Sequence, residues 1–214
     1  MTVPLPVSFR RYAAAALVLV LLPACGGGPE GPGLPPAAER EASWRGWQAQ
    51  RDTLFRSAAS PLPPAERAGF DGLDYFPYDS ARTYAVALEP ALEADTIRLS
   101  TTAGPPRPYV RYGAFAFGEG GRTYRLGVFK PVGPLAEGDR LFVPFTDATS
   151  GRATYGGGRY IDLEPEPSGR YVLDFNYAYN PYCVYDARYS CPLPPEENRL
   201  SVPLRAGELA YARE

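Results

Sequence analysis

Asp174, Asn176 and Asn180 sit in the segment YVLDFNYAYN, residues 171–180, in which residues of aromatic and apolar type recur at every second position. Strand alternation puts Tyr171, Leu173, Phe175, Tyr177 and Tyr179 on one face and leaves Asp174, Asn176 and Asn180 as a polar row on the other. Asp174 and Asn176 then stand about 6.6 Å apart, a spacing suited to gripping different atoms of one polar ligand. The same side chains are equally suited to tying down the Asn180-Pro181 turn through local backbone bonds. A second cluster joins Asp147, in the run FTDATSG, to Arg159, which follows the triple glycine 156–158. A carboxylate, glycine N–H groups and a guanidinium can together receive an anion, while Asp147 to Gly151 is also ordinary turn chemistry. The GK[ST] ending of a phosphate-binding loop is missing, and no EF-hand ligand spacing surrounds Asp147. Asp147, Asp162, Asp174 and Glu208 are carboxylates that a small β fold could face in pairs across a cleft, as glycoside hydrolysis requires. Carboxylates at strand ends also pair with arginine or cap turns.

The remaining composition excludes more chemistry than it offers. The chain has no histidine, which removes Ser-His-Asp and Cys-His catalysis and His-ligated zinc. Its 22 basic and 24 acidic residues are interspersed, with Lys130 the one lysine, so no single-sign stripe exists to attract nucleic acid. No cofactor or metal is expected. Sixteen tyrosines supply stacking surface for sugars or peptides, although Tyr is also a common strand residue.

Compartment is written at the N-terminus. Arg10 and Arg11 precede an apolar run over residues 13–22, followed by Pro23, Ala24 and Cys25. This is a secretory signal peptide, too short in its apolar part for a membrane-spanning helix of about 20 residues. Cys25 directly after a small residue resembles the bacterial lipobox, whose thiol carries a diacylglycerol in the mature chain. The expected organisation is therefore a signal peptide over 1–24, a lipidated cysteine with a Gly/Pro tether over 25–37, and one domain over 38–214. Gly26 after the cysteine leans toward the outer membrane if the organism has one. Export leaves Cys183 and Cys191 as a pair in an oxidising setting, and a disulfide is expected, contributing about 2–3 kcal/mol for so short a loop. Two thiolate metal ligands are the competing reading, without the CxxC spacing or further ligands that zinc needs.

The elements that position these residues follow from periodicity. Trp44, Trp47, Leu54 and Phe55 fall on one helical face over residues 37–56. The proline cluster 61–64 stops that helix, and a further short turn follows. From residue 72 the period becomes two, with strand-like runs at 73–76, 83–88, 96–100, 109–117, 122–129, 140–145, 159–163, 171–177 and 200–205. Such runs, separated by Gly, Pro and Asp, indicate a mainly β domain, an antiparallel sandwich or barrel with one N-terminal helix packed on it by Trp44 and Trp47. Gly118-Glu119-Gly120-Gly121 reads as a hairpin loop, and Pro144 places its strand at an edge or a bulge.

Three blocks, FDGLDYFPYD at 70–79, VPFTDATSGRATYGGGRYIDL at 143–163 and LDFNYAYNPYCVYDARYSCPLPPEENRLSVPLRAGE at 173–208, resemble the bacterial and archaeal family known as domain of unknown function 1684. The NPYC, CPLPPEEN and AGE elements carry the likeness. The resemblance implies one domain, often behind a lipoprotein signal, and supplies no mechanism. The expected function is a lipid-anchored, non-enzymatic envelope module that binds a small polar or carbohydrate ligand through Asp147, Arg159, Asp174, Asn176 and Asn180. A histidine-free hydrolase acting on envelope glycan with paired carboxylates is the alternative.

Overall fold

The structure, a computed structural model, describes residues 33–133 and 140–211. The signal peptide, Cys25 and most of the tether therefore lie outside the described residues. Helix α1 (Ala37–Arg56) forms over the residues its periodicity predicts. Trp44 and Phe55 are buried, and Trp47 and Arg51 lie along the same stripe. A one-turn helix α2 (Pro64–Arg67) follows, with proline at its first position, where no intrahelical N–H is needed. Among the described residues no helix is long and apolar enough to cross a membrane.

Seven strands then form a curved, mainly antiparallel half-barrel: β1 (Thr83–Pro90), β2 (Thr96–Leu99), β3 (Arg107–Glu119), β4 (Arg122–Pro131), β5 (Leu141–Phe145), β6 (Arg159–Leu163) and β7 (Arg170–Asp174). Their order is β6-β5-β4-β3-β1-β7, and β2 pairs with the first part of β3. One sheet that curves without closing is the barrel form of the expected fold. The β3–β4 hairpin turns on Gly120 and Gly121, with φ of 56° and 75°, the left-handed pair that a two-residue hairpin loop requires. Phe115, Leu126, Val128, Leu141, Val143, Phe145 and Leu173 fill the main core, while Leu99, Tyr109, Phe129, Phe142 and Tyr160 form a second cluster.

Three expected strand features differ. Residues 73–76 contribute only an isolated bridge between Tyr75 and Glu208, and residues 200–205 form no strand. Pro203 has no N–H to give a ladder, and the backbone around it makes single bonds instead: Leu200 N–H to Thr146 O at 2.8 Å and Ala148 N–H to Val202 O at 3.1 Å. Pro144 is not on an edge, because β5 lies between β4 and β6. It is tolerated because β4 pairs with β5 only at Phe129 and Phe142. Beyond that point the Asn198 side chain fills the gap, accepting from Gly127 N–H at 2.6 Å and donating to Gly127 O at 2.9 Å and Pro144 O at 2.7 Å.

Candidate functional site

The structure distributes the five expected ligand-binding residues over three buried networks. Asp147, immediately after β5, accepts from Thr149 N–H at 2.8 Å, from the Thr149 hydroxyl at 2.5 Å and from Leu204 N–H at 3.0 Å. Its second oxygen receives Arg159 Nη2 at 3.1 Å, and both side chains are fully buried. Arg159 also donates to the carbonyls of Leu204, at 3.1 Å, and Ala206. Burial pulls the Arg159 guanidinium down and Asp147 opposes it. The pair holds the C-terminal segment in place, with no open face toward solvent. Within the triple glycine, Gly158 N–H is bonded to Tyr155 O at 3.1 Å, which closes a local turn.

The polar row expected along residues 171–180 is broken, because β7 ends at Asp174. The Asp174 carboxylate accepts Asn176 N–H at 2.9 Å and Asn176 Nδ2 at 2.7 Å, capping a 3-10 turn (Phe175–Tyr177) that rotates the following side chains off the strand. Asn176 is fully buried, exchanging bonds with the Asp79 backbone at 2.9 and 3.0 Å, while its carbonyl receives Trp44 Nε1 at 2.8 Å. Asn180 belongs to a third network centred on Glu208. That carboxylate receives Asn180 N–H and Nδ2, both at 3.0 Å, Arg51 Nη2 at 2.9 Å and the Tyr185 hydroxyl. Burial pushes the Glu208 carboxyl up against these donors. Gly207 lets the segment lie this close: its φ is 78°, and a Cβ there would stand 2.6 Å from Ala178 O.

What opens to solvent is a cleft of about 1180 Å³ between the outer edges of β6 and β7. Helix α1 walls it with Arg40, Trp47 and Arg51, and the segment after β7 with Tyr177, Tyr179, Tyr182 and Tyr189. Trp47 packs against Tyr177 at 5.1 Å between ring centroids, and Tyr182 against Tyr189 at 5.4 Å. Arg51 is held 5.1 Å from the Trp47 ring and 5.0 Å from that of Tyr179 while paired to Glu208 behind the wall. Of the five expected ligand residues, Asp174 alone lines the cleft.

Asp162 on β6 is one of four carboxylates that line it, with Glu39, Glu164 and Asp174. Water reaches Asp162, yet protein surrounds it closely enough that desolvation raises its pKa, against a hydrogen bond from the Tyr179 hydroxyl at 2.7 Å. Tyr179 is raised well above its ordinary value by the same burial and by Asp162. Of the four carboxylates considered for a catalytic pair, Asp147 and Glu208 are inside ion pairs, and Asp174 is occupied by Asn176. Cys183 and Cys191 are present as thiols, Cys191 on the cleft wall, with Cys183 N–H donating to Cys191 Sγ at 3.2 Å. A hydrogen bond from the Cys191 thiol draws Cys183 down to about 6. Among the described residues no group of three or more metal-ligating side chains comes together. Trp47, Tyr179 and Arg107 were not singled out as a cleft by sequence; tyrosine abundance was the one available signal.

The family model for proteins of unknown function DUF1684 matches residues 68–209, two-thirds of the chain. The chain belongs to the DUF1684 family. Asp147, Arg159, Asp174, Asn176, Asn180 and Glu208 and the β6 and β7 walls of the cleft all lie within the matched DUF1684 region, while α1, which contributes Trp44 and Arg51 to two of the networks, precedes it. The DUF1684 fold is similar to the solution structure of an uncharacterized protein from Haloarcula marismortui, 35% identical, covering 80% of this chain and 95% of that one with a TM-score of 0.64. No curated protein matches the chain.

Proposed function

We propose that this protein is a lipid-anchored, non-enzymatic binding module of the cell envelope whose polar ligand occupies the cleft between β6 and β7. The single observation that carries the reading is the cleft itself, walled by Trp47 and five tyrosines, with the water-accessible Asp162 presented from one strand edge. Aromatic walls with a few placed polar groups are the usual composition of a ligand site. The signal peptide and Cys25 support placement on the envelope, and the adjacency of Cys183 and Cys191 supports a disulfide there. A binding role fits better than glycan hydrolysis, because of the four carboxylates considered for a catalytic pair only Asp162 and Asp174 line the cleft, and Asp174 is spent on Asn176.

Native mass spectrometry of the full chain, extracted from its own membranes, tests this. The expected result is diacylglyceryl on Cys25 and a co-purified ligand that is absent from Val172→Trp, which fills the cleft from β7. A chain that carries no ligand but cleaves envelope glycan, and loses that turnover in Asp162→Asn, would establish the hydrolase instead.

A further inference from the structure

The sheet stops at β6 on one side and β7 on the other, and both edges border the same cleft. Which backbone groups face it follows from parity. Tyr160 exchanges bonds with Tyr179 across the outer edge of β6, at 2.9 and 3.0 Å, so its N–H and C=O point away from β5. Two residues along, those of Asp162 point the same way. The β5 register agrees: Asp162 stands opposite Phe142, whose own backbone groups face Phe129 on β4. On the other wall, Leu88 N–H bonds Gly169 O at 2.7 Å, which turns Val86 and Tyr84 toward their β7 partners Tyr171 and Leu173 and leaves the N–H and C=O of Val172 facing out. Among the described residues neither Asp162 nor Val172 has a backbone bond across its outer edge.

We propose that the cleft accepts an extended polypeptide segment, which adds as a strand to the open edge of β6 at Asp162 and faces Val172 of β7. This rests on the cleft being the ligand site and names the class of its occupant. Main-chain pairing supplies affinity in such strand addition, and pockets for alternate side chains supply selectivity. The molecule already uses this edge in that way once, where Tyr179 pairs with Tyr160. Val172, 39% exposed, and Tyr189, 36% exposed, offer apolar contact for the incoming side chains. Arg107 lines the cleft with no carboxylate within ion-pair distance among the described residues, so the segment carries an acidic group to meet it. A sugar would instead need several side-chain acceptors to bracket its hydroxyls, and in this cleft Asp174 is consumed internally, one Asp162 oxygen is taken by Tyr179 and Glu164 is paired with Arg140, which leaves Glu39 on the α1 wall.

The test pans the full chain in detergent micelles against phage-displayed random peptides of about ten residues. The best binder is then synthesised unmodified and N-methylated at alternate amides in each of the two possible registers. The expected result is that one register loses about tenfold or more in affinity, the other keeps it, and bound peptide slows hydrogen exchange at the Asp162 and Val172 amides about tenfold. Asp162→Pro, which removes the outward N–H along with the carboxylate, should lose binding that Asp162→Ala, which removes the carboxylate alone, retains. Peptides indifferent to N-methylation in both registers overturn the proposal. N-acetylglucosamine oligomers that bind in the cleft where no peptide does overturn it while leaving the cleft a ligand site. If neither panel binds, both readings fall.

Discussion

The sheet parts in two places, and the molecule treats them differently. Between β4 and β5, beyond Phe142, the Asn198 amide replaces the missing ladder with three hydrogen bonds of its own. Between β6 and β7 one residue, Tyr179, bridges the edge at Tyr160, and the rest stays open beneath α1. A gap in the core must be filled, since a buried backbone group without a partner costs about 1–3 kcal/mol. A gap at the surface can be left to water or to a ligand. The difference shows what buried polar residues do here: they repair the interior, and the proposed binding surface is made of what the interior leaves unpaired.

That contrast can be broken at its strongest point first. Arg159→Ala removes the cation facing buried Asp147 and frees the carbonyls of Leu204 and Ala206, and should destabilise the fold by about 3–5 kcal/mol in a denaturant titration. Asn198→Ala leaves Gly127 without partners on either side, and should cost about 2–4 kcal/mol by the same measurement. Val172→Trp, at an exposed position of the open gap, should change stability by less than about 0.5 kcal/mol while abolishing ligand retention in native mass spectrometry. A large loss of stability there would mean that the cleft is part of the packing after all.

A smaller effect sharpens the comparison on the closed side. Glu119 receives the Tyr84 hydroxyl and Arg82 Nη1 at 2.6 Å, which holds its carboxyl below the ordinary 4.5. A carboxyl depressed in the folded state stabilises the fold above its unfolded pKa, and the contribution disappears as pH falls through the folded one. Stability of Glu119→Gln should therefore lie below that of the parent by about 1 kcal/mol or less near neutral pH and converge with it in acid. At the rim of the cleft, the reduced chain should alkylate at Cys183 with a rate that levels off above about pH 6, whereas the Cys191 thiol, pushed up by its neighbour and by burial, stays slow. A flat, slow profile for both would show that the sulfurs do not share a proton.

Local pattern was sufficient for much of the fold. Helix α1 and strand β6 occupy the residues that their periodicity marks, and the Gly120-Gly121 turn lies within the loop expected of it. The same alternation misled at Asp174, because a short carboxylate can bond the N–H two residues on and end a strand that its apolar neighbours would continue. Pro144 misled for the opposite reason, since a proline reads as an edge or a bulge until a distant side chain, here Asn198, donates to the Gly127 carbonyl in place of the missing N–H.

Sequence by itself determined helix α1, most of the strands, the family likeness and the absence of histidine chemistry, because these depend on residue types and on neighbours one to four positions away. Tertiary structure alone decided that Asp147, Arg159 and Asn180 turn inward to hold the C-terminal segment, that Asn176 turns inward to hold Asp79 and Trp44, and that Asp162 and Val172 open onto one cleft. Alternation assigns a side chain to a face, but which faces and edges meet depends on how the sheet curves and on contacts between residues more than a hundred positions apart, such as Arg51 with Glu208.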